Sequence, residues 1–249
     1  MHRSPRSFPF LVLVLASLCT GCGKPADTPA QEAAAAVPNT PAHMQEHFSK
    51  VREVEQAVII GDVTAARTPA LWLADHQPAT GFPPATAQPL AEMKAAARTV
   101  ATTADIQEAA MGAASLVGSC GRCHAAAKVE PKIPPAAEVP ERKGLGGHMI
   151  DHQSAANLLY RGLIVPVSGD WVRGAEALKA ADLGARDRKG LSAEALAAEA
   201  RVHELAEQAL KAPDQRTRIT IYGSIIGSCA GCHGLHGRIF GLAPEKVRS

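Results

Sequence analysis

The sequence predicts an all-α protein built as two tandem up-down-up-down four-helix bundles. Three observations predict it. Apolar residues recur at helical spacing rather than in strand-like alternation. The periodic segments form two matching sets of four. Gly, Pro and polar residues separate them by short connections, which make neighbouring helices antiparallel. Composition agrees: 46% of the 249 residues are hydrophobic but only 4% aromatic, and Ala is dense throughout. Ala favours helix because it loses no side-chain entropy, but it fills little volume. The expected cores are therefore thin, to be completed by close helix packing or by a buried non-protein group.

The first segment is not part of a bundle. Arg3 and Arg6 precede an apolar run from Phe8 to Leu18, too short to span a bilayer and suited to export. Residues 1–21 are the expected signal peptide. In "CTGC", Gly21 stands just before Cys22, as in the lipobox that this stretch resembles; Cys19 occupies a place where an aliphatic residue is usual. Cys22 is the expected lipidation site, with ordinary cleavage to a soluble periplasmic form as the alternative. Residues 22–41, rich in Pro, Ala, Gln and Thr, lack apolar periodicity and read as a flexible tether. The expected location is periplasmic, lipid-anchored to a bacterial membrane.

Residues 42–128 form the expected first domain. A helix from about His43 to Ile60 stops at Gly61. Asp62 or Thr64 caps a second, ending near His76. Pro78, Pro83, Pro84 and Pro89 fill the next connection. A third helix covers about Leu90 to Thr102, and Asp105 caps a fourth. A Pro-rich linker spans 129–143. In the second domain, 144–242, breaks fall at Pro166–Asp170, Gly184–Gly190 and Pro213, with Ser192 and Asp214 as caps.

The two domains are copies of one unit. His43, Met44 and His47 match His148, Met149 and His152 at a spacing of 105 residues. Ala70, Leu71, Ala74 and Asp75 match Ala177, Leu178, Ala181 and Asp182 at 107. "GSCGRCHAAAK" at Gly118–Lys128 matches "GSCAGCHGLHG" at Gly227–Gly237 at 109. Small insertions between helices account for the drift.

Four of the six cysteines lie in these last two stretches and two in the signal region. Thiols in an oxidising compartment must be bonded to something. A redox disulfide needs a βαβ setting that the chain lacks. Zinc is disfavoured by the separation of the pairs and by His directly after Cys. Covalent haem fits best. Cys-x-x-Cys-His sets two thiols on one helical face to form thioethers, with the adjacent imidazole placed to bind iron. The expected attachment residues are Cys120 and Cys123, then Cys229 and Cys232, with His124 and His233 as iron ligands.

Two four-helix units, each with Cys-x-x-Cys-His near its C-terminal end, resemble the cytochrome c′-like (class II) c-type cytochromes. The resemblance implies a covalent haem c in each bundle. It also implies a face opposite the proximal His that is either empty or served by a Met of the first helix.

In the expected topology the end of each fourth helix lies beside the start of the first. There Met44, His47, Val51, Val54 and Val58 form an inward seam at heptad spacing, matched by Met149, His152, Ala156, Leu159 and Leu163. His47 and His152 are the leading candidates for the sixth iron position. Met44 and Met149 come next, and His43 and His148, possible helix caps, after them; an open position is the remaining alternative. Two imidazoles lower the potential, a Met raises it, and an open site binds gases.

The formal net charge of +2 falls to near neutral once Arg3 and Arg6 leave with the signal, so nothing invites nucleic acid. No catalytic triad, phosphate loop or peroxidase-like distal acid–base pair stands out. The expected function is electron carriage by a dihaem cytochrome between redox partner proteins rather than enzymatic turnover, with peroxidase-like activity of one haem as an open alternative. The alternatives are a haem-based NO or CO binder and a structural lipoprotein with disulfides. His76 and His203 are expected at the surface, and the Glu/Arg pairs of "EALAAEARVHELAEQ" on a solvated face.

Overall fold

The structure is a computed structural model that describes residues 40–77, 82–133 and 143–236. The expected signal peptide, Cys22, nearly all of the tether and most of the linker lie outside the described residues. Every regular element among those residues is helical, as expected. They are α1 (Thr40–Ile59), α2 (Val63–Asp75), α3 (Ala87–Thr102), α4 (Ile106–Ala127), α5 (Gly144–Ile164), α6 (Asp170–Ala180), α7 (Ala185–Arg188), α8 (Ala193–Leu210) and α9 (Gln215–His236).

The helix ends follow side-chain chemistry. Asp62 accepts from the Ala65 N–H at 2.8 Å, Asp105 from Gln107 and Glu108, Ser192 from Ala195 and Asp214 from Thr217. Each satisfies a donor that the first helical turn leaves over. Three boundaries differ from expectation. Helix α1 starts at Thr40. Helix α3 starts at Ala87, behind a 3-10 turn at Pro84–Thr86, because Pro89 falls in its first turn, where a missing N–H costs nothing. The short α7 occupies the break placed at Gly184–Gly190.

Within the first repeat α1 packs on α2, α2 on α3, α3 on α4, and α4 back on α1. In the second, α5 packs on α6, α6 on α8, α8 on α9, and α9 back on α5. The repeats then join through α4 and α9, and the described residues fall in one compact unit. The α1 seam is in the core: Val51, Val54, Val58 and His47 are buried, as are His152, Leu159 and Leu163 on α5.

Helices α4 and α9 run antiparallel. Gly118 lies against Ile219, Gly223 against Met111, and Gly227 against Gln107, whose Nε2 donates to the Gly227 carbonyl at 3.0 Å. With no Cβ on these positions, the helix backbones approach closely. The two Cys-x-x-Cys-His motifs therefore sit at opposite ends of the α4–α9 pair. At ~1.5 Å per residue, their histidines are roughly 30 Å apart along the helix axis.

Equivalent residues of the two repeats meet at the join. Arg52 donates to its counterpart Asn157 at 2.9 Å and lies over the ring of Tyr160, 4.8 Å from its centroid. Tyr160 is the counterpart of Glu55. Glu55 is fully buried and accepts from both Arg52 and the Tyr222 hydroxyl. Contact between counterparts is what an approximate two-fold axis between the repeats produces.

Candidate functional site

The last turns of α4 and α9 carry the cysteines. Cys120, Cys123, Cys229 and Cys232 are half-buried thiols with no disulfide among them. Burial pushes Cys120 and Cys229 up to about 12, with the neighbouring Cys of each pair adding to the shift. Burial also raises Cys123 and Cys232.

The two motif histidines share one environment. His233 Nδ1 lies 2.8 Å from the carbonyl oxygen of Ile59, at the end of α1. That oxygen can only accept, so Nδ1 carries the proton and Nε2 presents its lone pair. His124 faces Ile164, the counterpart of Ile59, on α5. The buried His124 Nδ1 stays outside hydrogen-bonding geometry. Burial lowers both imidazoles, and the facing carbonyls partly oppose it. Metal-binding histidines are commonly oriented by such a carbonyl. Here each repeat supplies the carbonyl for the other's histidine.

The start of α1 gathers three rings. His43 and His47 lie with centroids 4.4 Å apart, and His76 Nε2 is 3.3 Å from His43 Nδ1. His76 stacks on Trp72 at 3.9 Å. Burial lowers His47 to about 4, helped by His43, His76 and Lys94. Its Nε2 is buried without a hydrogen bond. Arg122, inside the first motif, pairs with Glu92 on α3 at 2.8 Å. Helix α3 thus reaches the motif through Glu92 and His47 through Lys94. Met44 is half-buried.

The start of α5 is built differently. Glu199 Oε1, from α8, stands 2.9 Å from His148 Nε2, 3.1 Å from His203 Nε2 and 3.6 Å from His152 Nε2. Burial raises the Glu199 carboxyl, but His148, His152 and His203 outweigh it and hold it below its usual range. Burial lowers His152 to about 4, against the opposing pull of Glu199. His152 also feels His233, and Glu199 acts on both Cys229 and Cys232, so the start of α5 and the end of α9 share one neighbourhood. Met149 is half-buried.

Four expectations are corrected here. His43 and His148 are not helix caps: both lie in the second turn of their helices, and His148 is buried. His76 is half-buried among rings rather than on the surface. His203 contacts Glu199. Glu199 is not on a solvated face, since its side chain is only 10% exposed. A signal for Glu199 was present: with Ala195, Val202, Ala206 and Ala209 it falls on a 4-3-4-3 seam, and those four are buried. The acidic and basic residues around it hid that seam.

A covalent haem c at each motif was tested against these residues, and they fit. Each thiol pair is one helical turn apart, and the histidine next to it faces a carbonyl. At the starts of α1 and α5, His47 and His152 keep buried, unbonded Nε2 atoms, and His152 feels the charge of His233. No family model matches the chain, and no curated protein or solved structure matches it.

Proposed function

We propose that this chain is an exported dihaem c-type cytochrome that carries single electrons on the periplasmic side of a bacterial membrane. It would be two tandem four-helix bundles, each holding one haem c, tethered through a lipid on Cys22 and served by other redox proteins. One observation carries the proposal. Two Cys-x-x-Cys-His motifs end equivalent helices, and each motif histidine faces the carbonyl of the other repeat's first helix.

Cys120 and Cys123, and Cys229 and Cys232, would hold the two groups as thioethers; His124 and His233 would be the proximal ligands. When bound, haem supplies reversible one-electron chemistry. The chain's own residues do the rest. Ile59 orients His233 and keeps its proton on Nδ1; the Ile164 carbonyl faces His124 without a hydrogen bond of good geometry. The helices exclude water, and their rigidity limits reorganisation when charge changes. His47 or Met44 would be the second protein ligand of the first group, and His152 or Met149 that of the second. Low imidazole pKa values keep His47 and His152 neutral at neutral pH, the form that binds a metal.

The test is expression in a host with working cytochrome maturation, followed by pyridine haemochrome assay and optical spectra. Two haems per chain with low-spin spectra in both oxidation states are expected. Changing Cys120 and Cys123 to Ala should halve the haem content, and His47→Ala should alter the spectrum of one haem only. High-spin haem that shifts on adding CO would replace electron carriage with gas binding.

A further inference from the structure

The start of α5 holds more than a haem environment requires. Three imidazole nitrogens, His148 Nε2, His152 Nε2 and His203 Nε2, surround a single oxygen, Glu199 Oε1, at 2.9, 3.6 and 3.1 Å. His148, His152 and Glu199 also satisfy a mutual limit of 4.8 Å between their donor atoms. Neither nitrogen of His148, nor Nε2 of His152, has a hydrogen bond of acceptable geometry, and all three atoms are buried. Buried donor atoms gathered this closely around one carboxylate oxygen are spaced as the ligands of a single ion would be.

His203 sharpens the inference. Its Nδ1 lies 3.2 Å from the carbonyl oxygen of Lys179, on α6. Its Nε2 lies 3.1 Å from Glu199 Oε1, so the ring spans the Lys179 carbonyl and the carboxylate with Nε2 turned into the cluster. A carbonyl on Nδ1 with Nε2 turned inward is also the usual support of a metal-binding histidine.

From this geometry we infer that His148, His152, His203 and Glu199 form a non-haem site for one divalent first-row transition-metal ion, of which zinc is the simplest probe. Three imidazoles and one carboxylate are a borderline N/O donor set, suited to four-coordinate binding of such ions.

The first repeat does not reproduce the site. At the 109-residue spacing that aligns the buried faces of α3 and α8, Leu90 stands where Glu199 is and Lys94 where His203 is. The third ring there, His76, comes from the end of α2, and its Nε2 is engaged with His43. A lysine beside the triad opposes a cation. His43, His47 and His76 do fall within the same 4.8 Å limit, but that group has no carboxylate, so the second-repeat cluster is the stronger cation site. With the ion on His152, the second haem would draw on Met149 instead, the other residue proposed for it. The inference goes beyond electron carriage and stands on the His–Glu cluster alone.

The test uses the full-length, haem-loaded protein, in which the cysteines are already bonded. It is stripped with chelator, reloaded with zinc, dialysed, and its zinc and haem are measured separately. One zinc per chain is expected in the wild type, unchanged in His76→Ala, and lost in Glu199→Gln and in His203→Ala. Helix content by circular dichroism confirms that each variant is folded. If either variant unfolds, X-ray absorption at the zinc edge of the wild type decides, with a shell of three imidazoles and one carboxylate expected. No retained zinc in the wild type, retention indifferent to Glu199 and His203, or a sulfur-containing shell overturns the site. Absence of haem would overturn electron carriage instead, so the two failures read out separately.

Discussion

At the scale of single residues, Glu55 has the clearest consequence. Burial raises its carboxyl to about 7, against the opposing effects of Arg52 and the Tyr222 hydrogen bond. The folded pKa lies above the ordinary value of 4.5, so the native state holds a proton that the unfolded chain has released. The associated stability is fully present below about 4.5 and is lost as pH rises towards 7, by roughly 3 kcal/mol. Thermal melts from pH 4 to 8 should show this decline, and Glu55→Gln should flatten it. An unchanged slope in the variant would assign the pH dependence to other groups. Glu55 also shows the limit of sequence reading. It directly follows the seam residue Val54 and looks like an exposed member of a charged run. Only its contact across the join with Tyr222, from a distant part of the chain, explains its burial beside Arg52 of its own helix. The Cys-x-x-Cys-His motifs and the His47 and His152 seam were legible because each is a local pattern repeated at equivalent places. Glu199 and His76 were not read, because the first was masked by neighbouring charges and the second by its place at a helix end.

At the scale of elements, close backbone approach decides which helices pair. Gly162 on α5 faces α6: a Cβ there would lie 2.5 Å from the Trp171 backbone nitrogen and 2.7 Å from its Cα. Backbone atoms cannot give way as a flexible side chain can, so Gly162→Ala should destabilise by about 1–3 kcal/mol or more. Gly146, near the start of the same helix, has nothing within 4 Å of its would-be Cβ. Gly146→Ala should therefore stabilise the protein by ~0.5–1 kcal/mol through helix propensity alone. Denaturant midpoints of the two variants should move in opposite directions; a shared direction would contradict the packing described for α5 and α6. Helix existence and capping were readable from Asp62, Asp105, Ser192 and Asp214, since a cap acts within one turn. The start of α3 was misplaced because a proline cluster marks both a connection and an acceptable first turn.

At the scale of the whole molecule, the repeats are joined rather than merely strung together. Helices α4 and α9 lie at the centre of one compact unit, so the repeats should unfold together. The sequence has two tryptophans, Trp72 in one repeat and Trp171 in the other. Single-tryptophan variants should report the same denaturant midpoint, whereas two separated midpoints would mean independent domains. The linker composition left this open, since a Pro-rich segment permits either docking or free motion; glycines spaced along two helices distant in sequence settled it. The antiparallel join also places the two motif histidines at opposite ends of the α4–α9 pair, roughly 30 Å apart by helix rise.

The most direct measurement is the intact mass of the exported chain after denaturation, when only covalent attachments survive. The proposed cytochrome predicts a mass greater than the processed, lipid-bearing polypeptide by two haem groups, reduced by one when Cys229 and Cys232 are both replaced. Folded, exported protein with the mass of that polypeptide alone, made in a host that matures other c-type cytochromes, would contradict it.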